Sequence, residues 1–160
     1  MLLHRTTSCS RPSSRSWRVR LVRLQNILVN YAVIARTNEH RVSQGLQPLD
    51  IDPMLMESAQ RWAKYMASNQ AFHHSAYQGE NIAWGQVDAD EAVRWWLNSP
   101  GHEAQILAGH TVIGVGVAIS DTGTKVWVQH FAAQPLQQVP EIRPTSYTYR
   151  EPNPRRRRRR

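Results

Sequence analysis

Apolar and small residues recur at helical spacing from Leu24 onward. Leu24, Ile27, Leu28, Tyr31, Ile34, Ala35, Asn38 and Val42 share one face, and Gly45 supplies a stop. This predicts a first helix with that stripe as its apolar face. Asp52 followed by Pro53 pairs an N-cap with a first-turn proline, after which Leu55, Ala59, Trp62 and Met66 repeat at the same period. A second amphipathic helix should therefore run to about Asn69. Asp88, Asp90 and Glu91 suit the positive end of a third helix with Val93, Trp96 and Leu97 inward. Ser99 and Pro100 end that helix and start another.

From Thr111 the period changes. TVIGVGVAIS and KVWVQHFA are rich in β-branched and aromatic residues and flank Asp121-Thr122-Gly123-Thr124, which predicts an antiparallel hairpin. Gly114 and Gly116 weaken a strand unless something packs closely over them, and the apolar helix faces are the expected cover. With NIAW at 81–84 as a third short strand, the order is helices, strand, helix, hairpin. Helices covering a small antiparallel sheet make an α+β arrangement.

Composition divides the 160-residue chain. Its net charge of +8 resembles a nucleic-acid signature until it is located. Residues 1–23 hold six Arg and no acid, and residues 140–160 hold eight Arg against Glu141 and Glu151. Between residues 24 and 139, six bases face ten acids, a balance of −4. The reading is a disordered basic extension at 1–23, a folded domain at 24–134, and a Pro-rich linker with a poly-Arg tail at 135–160. Through Arg155–Arg160 that tail could bind nucleic acid or another anionic surface by charge alone. The Arg- and Ser-rich, acid-free N-terminus also has the composition of an organellar transit segment. No stretch approaches the roughly 20 apolar residues of a membrane-spanning helix. Cys9, the only cysteine, leaves no internal disulfide.

Three side chains carry the candidate chemistry. His74 precedes Ser75, and Gly79-Glu80-Asn81 follows six residues on, where a tight turn lets Glu80 project back from a strand edge. His102 falls in the first turn of a helix capped by Ser99, where the positive helix end disfavours imidazolium. Two neutral histidines and a carboxylate suit a divalent cation. His130 alternates with Val126 and Val128 and is read as a core or sheet-face residue.

The segments AxTNEHR with GLQPL, Ala59 to Ala67, FHHS, GENIAWG, AVRWWLNSPGHEAQIL, IGVGVA and WVQHFA occur in order over residues 24–133. Together they resemble the CAP superfamily of cysteine-rich secretory, venom-antigen and plant pathogenesis-related proteins, most closely its cysteine-poor bacterial-type members. The resemblance implies an α-β-α sandwich with a central antiparallel sheet and a secreted module that binds sterols, fatty acids or other small ligands. It also implies a cleft of two His and two Glu that in some members holds zinc or another divalent cation. His74, Glu80 and His102 match three of these, with Ser75 and Asn81 beside them. The second glutamate is missing: Trp96-Leu97-Asn98-Ser99 stands at its place, leaving Glu103, Asp90 or Glu91 as substitutes.

Catalysis is the weaker reading. A zincin needs HExxH, but His102-Glu103 is followed by Ile106 where the second His should stand. Ser75, His102 and Glu80 could imitate a serine triad, yet no nucleophile elbow is present.

Overall fold

The computed structural model describes residues 14–141, 143 and 144; residues 1–13 and the Arg155–Arg160 tail lie outside them. In chain order the elements are α1 (Ser14–Ser43), β1 (Asp50–Ile51), α2 (Pro53–Asn69), β2 (Glu80–Trp84), α3 (Ala89–Leu97), α4 (Pro100–Leu107), β3 (Val112–Ile119) and β4 (Lys125–Ala132). One four-stranded sheet has the order β1-β3-β4-β2.

The predicted hairpin is β3–β4, antiparallel from Val112↔Ala132 to Ile119↔Lys125. Gly123 closes its turn at φ +83°, and Ser120 N donates to Thr124 O. β2 pairs antiparallel with β4. The sheet is not wholly antiparallel, because the two-residue β1 runs parallel to β3.

Alternation along the strands sorts the core into two layers, one on each sheet face. Ile113, Val115, Val117, Trp127 and Phe131 join Val33, Ile34, Val93, Trp96 and Ile106 from α1, α3 and α4. Ile82, Val126 and Val128 meet Ala59, Trp62, Ala63 and Met66 of α2 on the other face. The result is an α-β-α sandwich. Helix α2 approaches β3 at backbone distance: a Cβ on Gly114 would lie 2.1 Å from Leu55 C, and one on Gly116 would lie 2.4 Å from Ala59 C. The two glycines are the close-packing positions that their place in a strand predicted.

Asp52 caps α2 as expected, its Oδ1 accepting from Met54 N at 2.7 Å and Leu55 N at 2.9 Å. Asp88 caps α3 by accepting from Glu91 N. Ser99 stands at the N-cap of α4 without a side-chain cap bond.

Helix α1 departs from its prediction twice. It begins at Ser14, ahead of the residue-24 boundary, because neither Gly nor Pro interrupts residues 13–44. Its inner face is also not the predicted stripe. Asn30, Val33, Ile34, Thr37 and Arg41 are buried, whereas Leu28, Tyr31 and Val42 are exposed. Two of the three polar members of the inner face, Thr37 and Arg41, find distant partners. Gln129 Nε2 donates to Thr37 Oγ1 at 2.8 Å, and the Arg41 guanidinium donates to the carbonyls of Gln47, Ile106, Ala108 and His110.

The chain past residue 134, read as a linker, turns back onto the domain as far as Pro144. Leu136 N donates to Asp52 Oδ2 at 2.7 Å, Ala76 N donates to Arg143 O at 3.0 Å, and Ser75 bridges Pro144 antiparallel. Hydrogen bonds made by its backbone hold it there.

Candidate functional site

Glu80 opens β2 opposite His130 on β4. Gly79 before it is required by space, since a Cβ there would stand 2.4 Å from Phe131 O. The Glu80 side chain is buried and saturated. Oε1 accepts from His74 Nδ1 at 2.8 Å and from Ser75 N at 2.9 Å. Oε2 accepts from Ser75 Oγ at 2.7 Å and from His130 Nε2 at 3.0 Å. Burial works to raise its pKa, but the hydrogen bonds from His130, His74 and Ser75 prevail and hold it at about 2.

An ionised carboxylate only accepts, so each facing imidazole nitrogen carries a hydrogen. On His74 this puts the proton on Nδ1, and the neutral ring then has its lone pair on Nε2. The hydrogen bond to Glu80 raises the His74 pKa. The ring is half exposed, so solvent is within its reach. His130 is fully buried, with Nδ1 2.8 Å from Ser58 Oγ on α2. With Nε2–H given to Glu80, a neutral His130 accepts the Ser58 hydroxyl proton at Nδ1.

His102 sits on α4, its ring 5.0 Å from that of Trp95. Asn81 Nδ2 donates to His102 O and Gln129 Oε1, both at 3.1 Å, tying the α4 turn to the sheet. Burial lowers the His102 pKa, and the nearby His74 charge lowers it further. His102 Nδ1 is buried without a hydrogen-bond partner. The structure thus brings His74, Ser75, Glu80, Asn81 and His102 into one neighbourhood, in distinct roles.

The suggested substitutes for the second glutamate are committed elsewhere. Glu103 Oε1 lies 3.0 Å from His40 Nε2, Asp90 pairs with Arg36, and Glu91 Oε2 accepts from Val87 N. Among the described residues, no group of three or more His, Cys, Asp or Glu side chains is arranged to hold a metal ion. Glu80 Oε1 accepts from His74 Nδ1 and so orients that ring.

Ser75 does not form a nucleophile–base pair. Its hydroxyl is buried, donates to Glu80 and accepts from Tyr77 N. The residues that sequence reasoning missed are His130 in its role toward Glu80, and Ser58. The strand alternation put His130 on an inward face, and the β2–β4 register, which is not local in the sequence, sets it across from Glu80.

Two open clefts flank this neighbourhood. One of about 590 Å³ is bordered by Tyr77, Gly79, Gln105, His110 and Phe131, and one of about 480 Å³ by Trp62, Tyr65, Pro140 and Pro144. Neither is lined by His74 or His102.

An α-β-α sandwich with a His/Glu cluster between a sheet edge and a short helix is the architecture of a CAP domain. The chain belongs to this family: residues 34–131 match the family model described as "CAP: Cysteine-rich secretory protein family". It is 36% identical over 118 residues to uncharacterized protein YkwD of Bacillus subtilis (strain 168), covering 62% of this chain and 45% of that protein. To pathogenesis-related protein 1C of Nicotiana tabacum it is 34% identical over 84 residues, 48% of this chain and 50% of that one. It spans half or less of both relatives. Its fold is similar to that of an extracellular protein containing a SCP domain from Bacillus anthracis str. Ames. That match has a TM-score of 0.61 and 26% identity, over 78% of this chain and 45% of the other.

Proposed function

We propose that this chain is a non-enzymatic, secreted CAP-domain binding module whose His74 and His102 imidazoles take a divalent cation such as zinc. The observation that carries the reading is the Glu80 carboxylate, which accepts from His74 Nδ1 and so presets the lone pair on Nε2. A carboxylate behind a histidine in this way orients the ring and raises its basicity toward a cation. His102 adds a second imidazole that its surroundings keep neutral. Two protein nitrogens, with water completing the shell, point to micromolar affinity rather than the tighter binding of four-ligand sites.

The cleft of about 590 Å³ has the volume of a small-molecule site, which supports a small or lipid-like ligand beside the cation. Secretion is supported by the family. A hydrolase is the second reading, and the orientation of Ser75 weighs against it.

The test is calorimetric titration of zinc into the full chain and into His74→Ala and His102→Ala. Both substitutions should abolish binding without loss of fold, since each ring lies at the surface of the site. Binding should also fade as the pH falls through and below neutrality, because protons compete for the same lone pairs and the hydrogen bond to Glu80 raises the His74 pKa above the ordinary value. Equal affinity in all three proteins would overturn the proposal.

A further inference from the structure

Helix α1 has an apolar stripe on the side turned away from the sheet. Leu28 is 69% exposed, Tyr31 49% and Val42 57%, and Ala35 between them is exposed too. These positions follow steps of three, four and seven residues, so they lie along one edge of the helix. The opposite edge is buried through Asn30, Val33, Ile34, Thr37 and Arg41. Burial of α1 against the domain therefore leaves this stripe uncovered. Toward the helix start the same alternation of four and three falls on positions 24, 21 and 17, which are Leu, Leu and Trp.

Charge identifies the partner. Positions 15, 18, 20 and 23 of α1 are all Arg, and the sequence contains no Asp or Glu before Glu39. A basic helix with one stripe of Trp, Leu and Tyr has the composition of an interfacial helix that lies in the plane of a membrane. Trp and Tyr suit that depth because their rings are apolar with one polar edge. We propose that this face of α1 docks on an anionic phospholipid surface, with Leu28 and Tyr31 at the acyl boundary and the basic charge of the helix start drawing it to the headgroups.

A second copy of the chain fits this face less well. A strict four–three stripe can form a coiled coil, but positions 18 and 20 flank it with Arg on both sides. Two such helices would bring like charges together, and the first acid, Glu39, is already paired with Arg36. Nucleic acid would satisfy the arginines and leave Leu28 and Tyr31 in water. No described helix is long and apolar enough to cross a membrane, so the geometry is docking on the surface rather than spanning.

The test is co-sedimentation of the full chain with phosphatidylcholine vesicles, with or without about 30% phosphatidylglycerol. Three proteins are compared: wild type, the Leu28→Glu/Tyr31→Glu variant, and a variant with Arg155–Arg160 replaced by Gln. Both substituted positions in the stripe are exposed, so the fold should survive, with circular dichroism as the check. Wild type should bind the anionic vesicles, the double variant about tenfold or more weakly, and the tail variant should retain binding that the apolar stripe carries into moderate salt. Equal binding by the double variant, with loss only in the tail variant, would overturn the proposal in favour of the tail. A lipid-free dimer, seen by light scattering and lost in the double variant, would overturn it in favour of self-association.

Discussion

Glu80 and His130 face each other across the β2–β4 register, with Oε2 and Nε2 3.0 Å apart and both side chains closed to solvent. The carboxylate is held ionised at a pKa of about 2 against an ordinary 4.5. A depressed carboxylate stabilises the fold above its unfolded pKa, and that stability is lost as pH falls through the window between the two values. The difference, 4.5 − 2, corresponds to about 3 kcal/mol. Urea midpoints measured from pH 6 down to pH 2 should show this loss in wild type. In Glu80→Gln the deficit is already present at neutral pH, so the two curves should converge in acid. A constant gap at every pH would mean that Glu80 is not held ionised.

His130 and Ser58 should differ in cost. Removing the imidazole in His130→Leu takes one of four donors from a buried carboxylate, a charge-assisted hydrogen bond worth about 1.5–3 kcal/mol. Ser58→Ala removes only the neutral bond to His130 Nδ1, worth about 1 kcal/mol. Chemical denaturation of both variants checks the ranking. Similar costs would show that Glu80 does not depend on His130.

Gly114→Ala and Gly116→Ala place a methyl group against the backbone of α2, not against a side chain that could rotate away. Each should cost at least about 2 kcal/mol, as overpacking of a rigid contact does. Gly101→Ala is the control, because a Cβ there meets nothing within 4 Å. Thermal midpoints should fall for the first two and stay near wild type for the third.

What was legible in the sequence follows the range of the interactions. Helix α2 was readable because its cap, Asp52-Pro53, and its apolar period are local, and the β3–β4 hairpin was readable from its strand composition and its turn. The inner face of α1 was not. Arg41 becomes an acceptable core residue through the carbonyls of Ile106, Ala108 and His110, and Thr37 accepts from Gln129, all far along the chain. Strand β1 has two residues and is defined by its pairing with β3, Asp50↔Val112 and Ile51↔Ile113, which leaves no side-chain pattern. At the site, His74 and Glu80 were found together because six residues separate them. The contact between Glu80 and His130 spans 50 residues, and only the strand register makes it.

Asp52 serves two ends of the domain with one carboxylate. Oδ1 caps α2, and Oδ2 accepts from Leu136 N, anchoring the segment that returns to pair Pro144 with Ser75 beside His74. Asp52→Asn keeps the capping oxygen but turns an amide N–H toward the Leu136 N–H, so the anchor is lost while the cap survives. Asp52→Ala loses both, and the cap alone is worth about 1–2 kcal/mol. Stability should therefore fall more in the Ala variant than in the Asn variant. Hydrogen exchange at Leu136 should speed up in both, and a glutamate-specific endopeptidase should cut after the exposed Glu141 sooner in both than in wild type. Unchanged exchange at Leu136 in Asp52→Asn would mean that the returning segment is held by its Ala76 and Ser75 contacts alone.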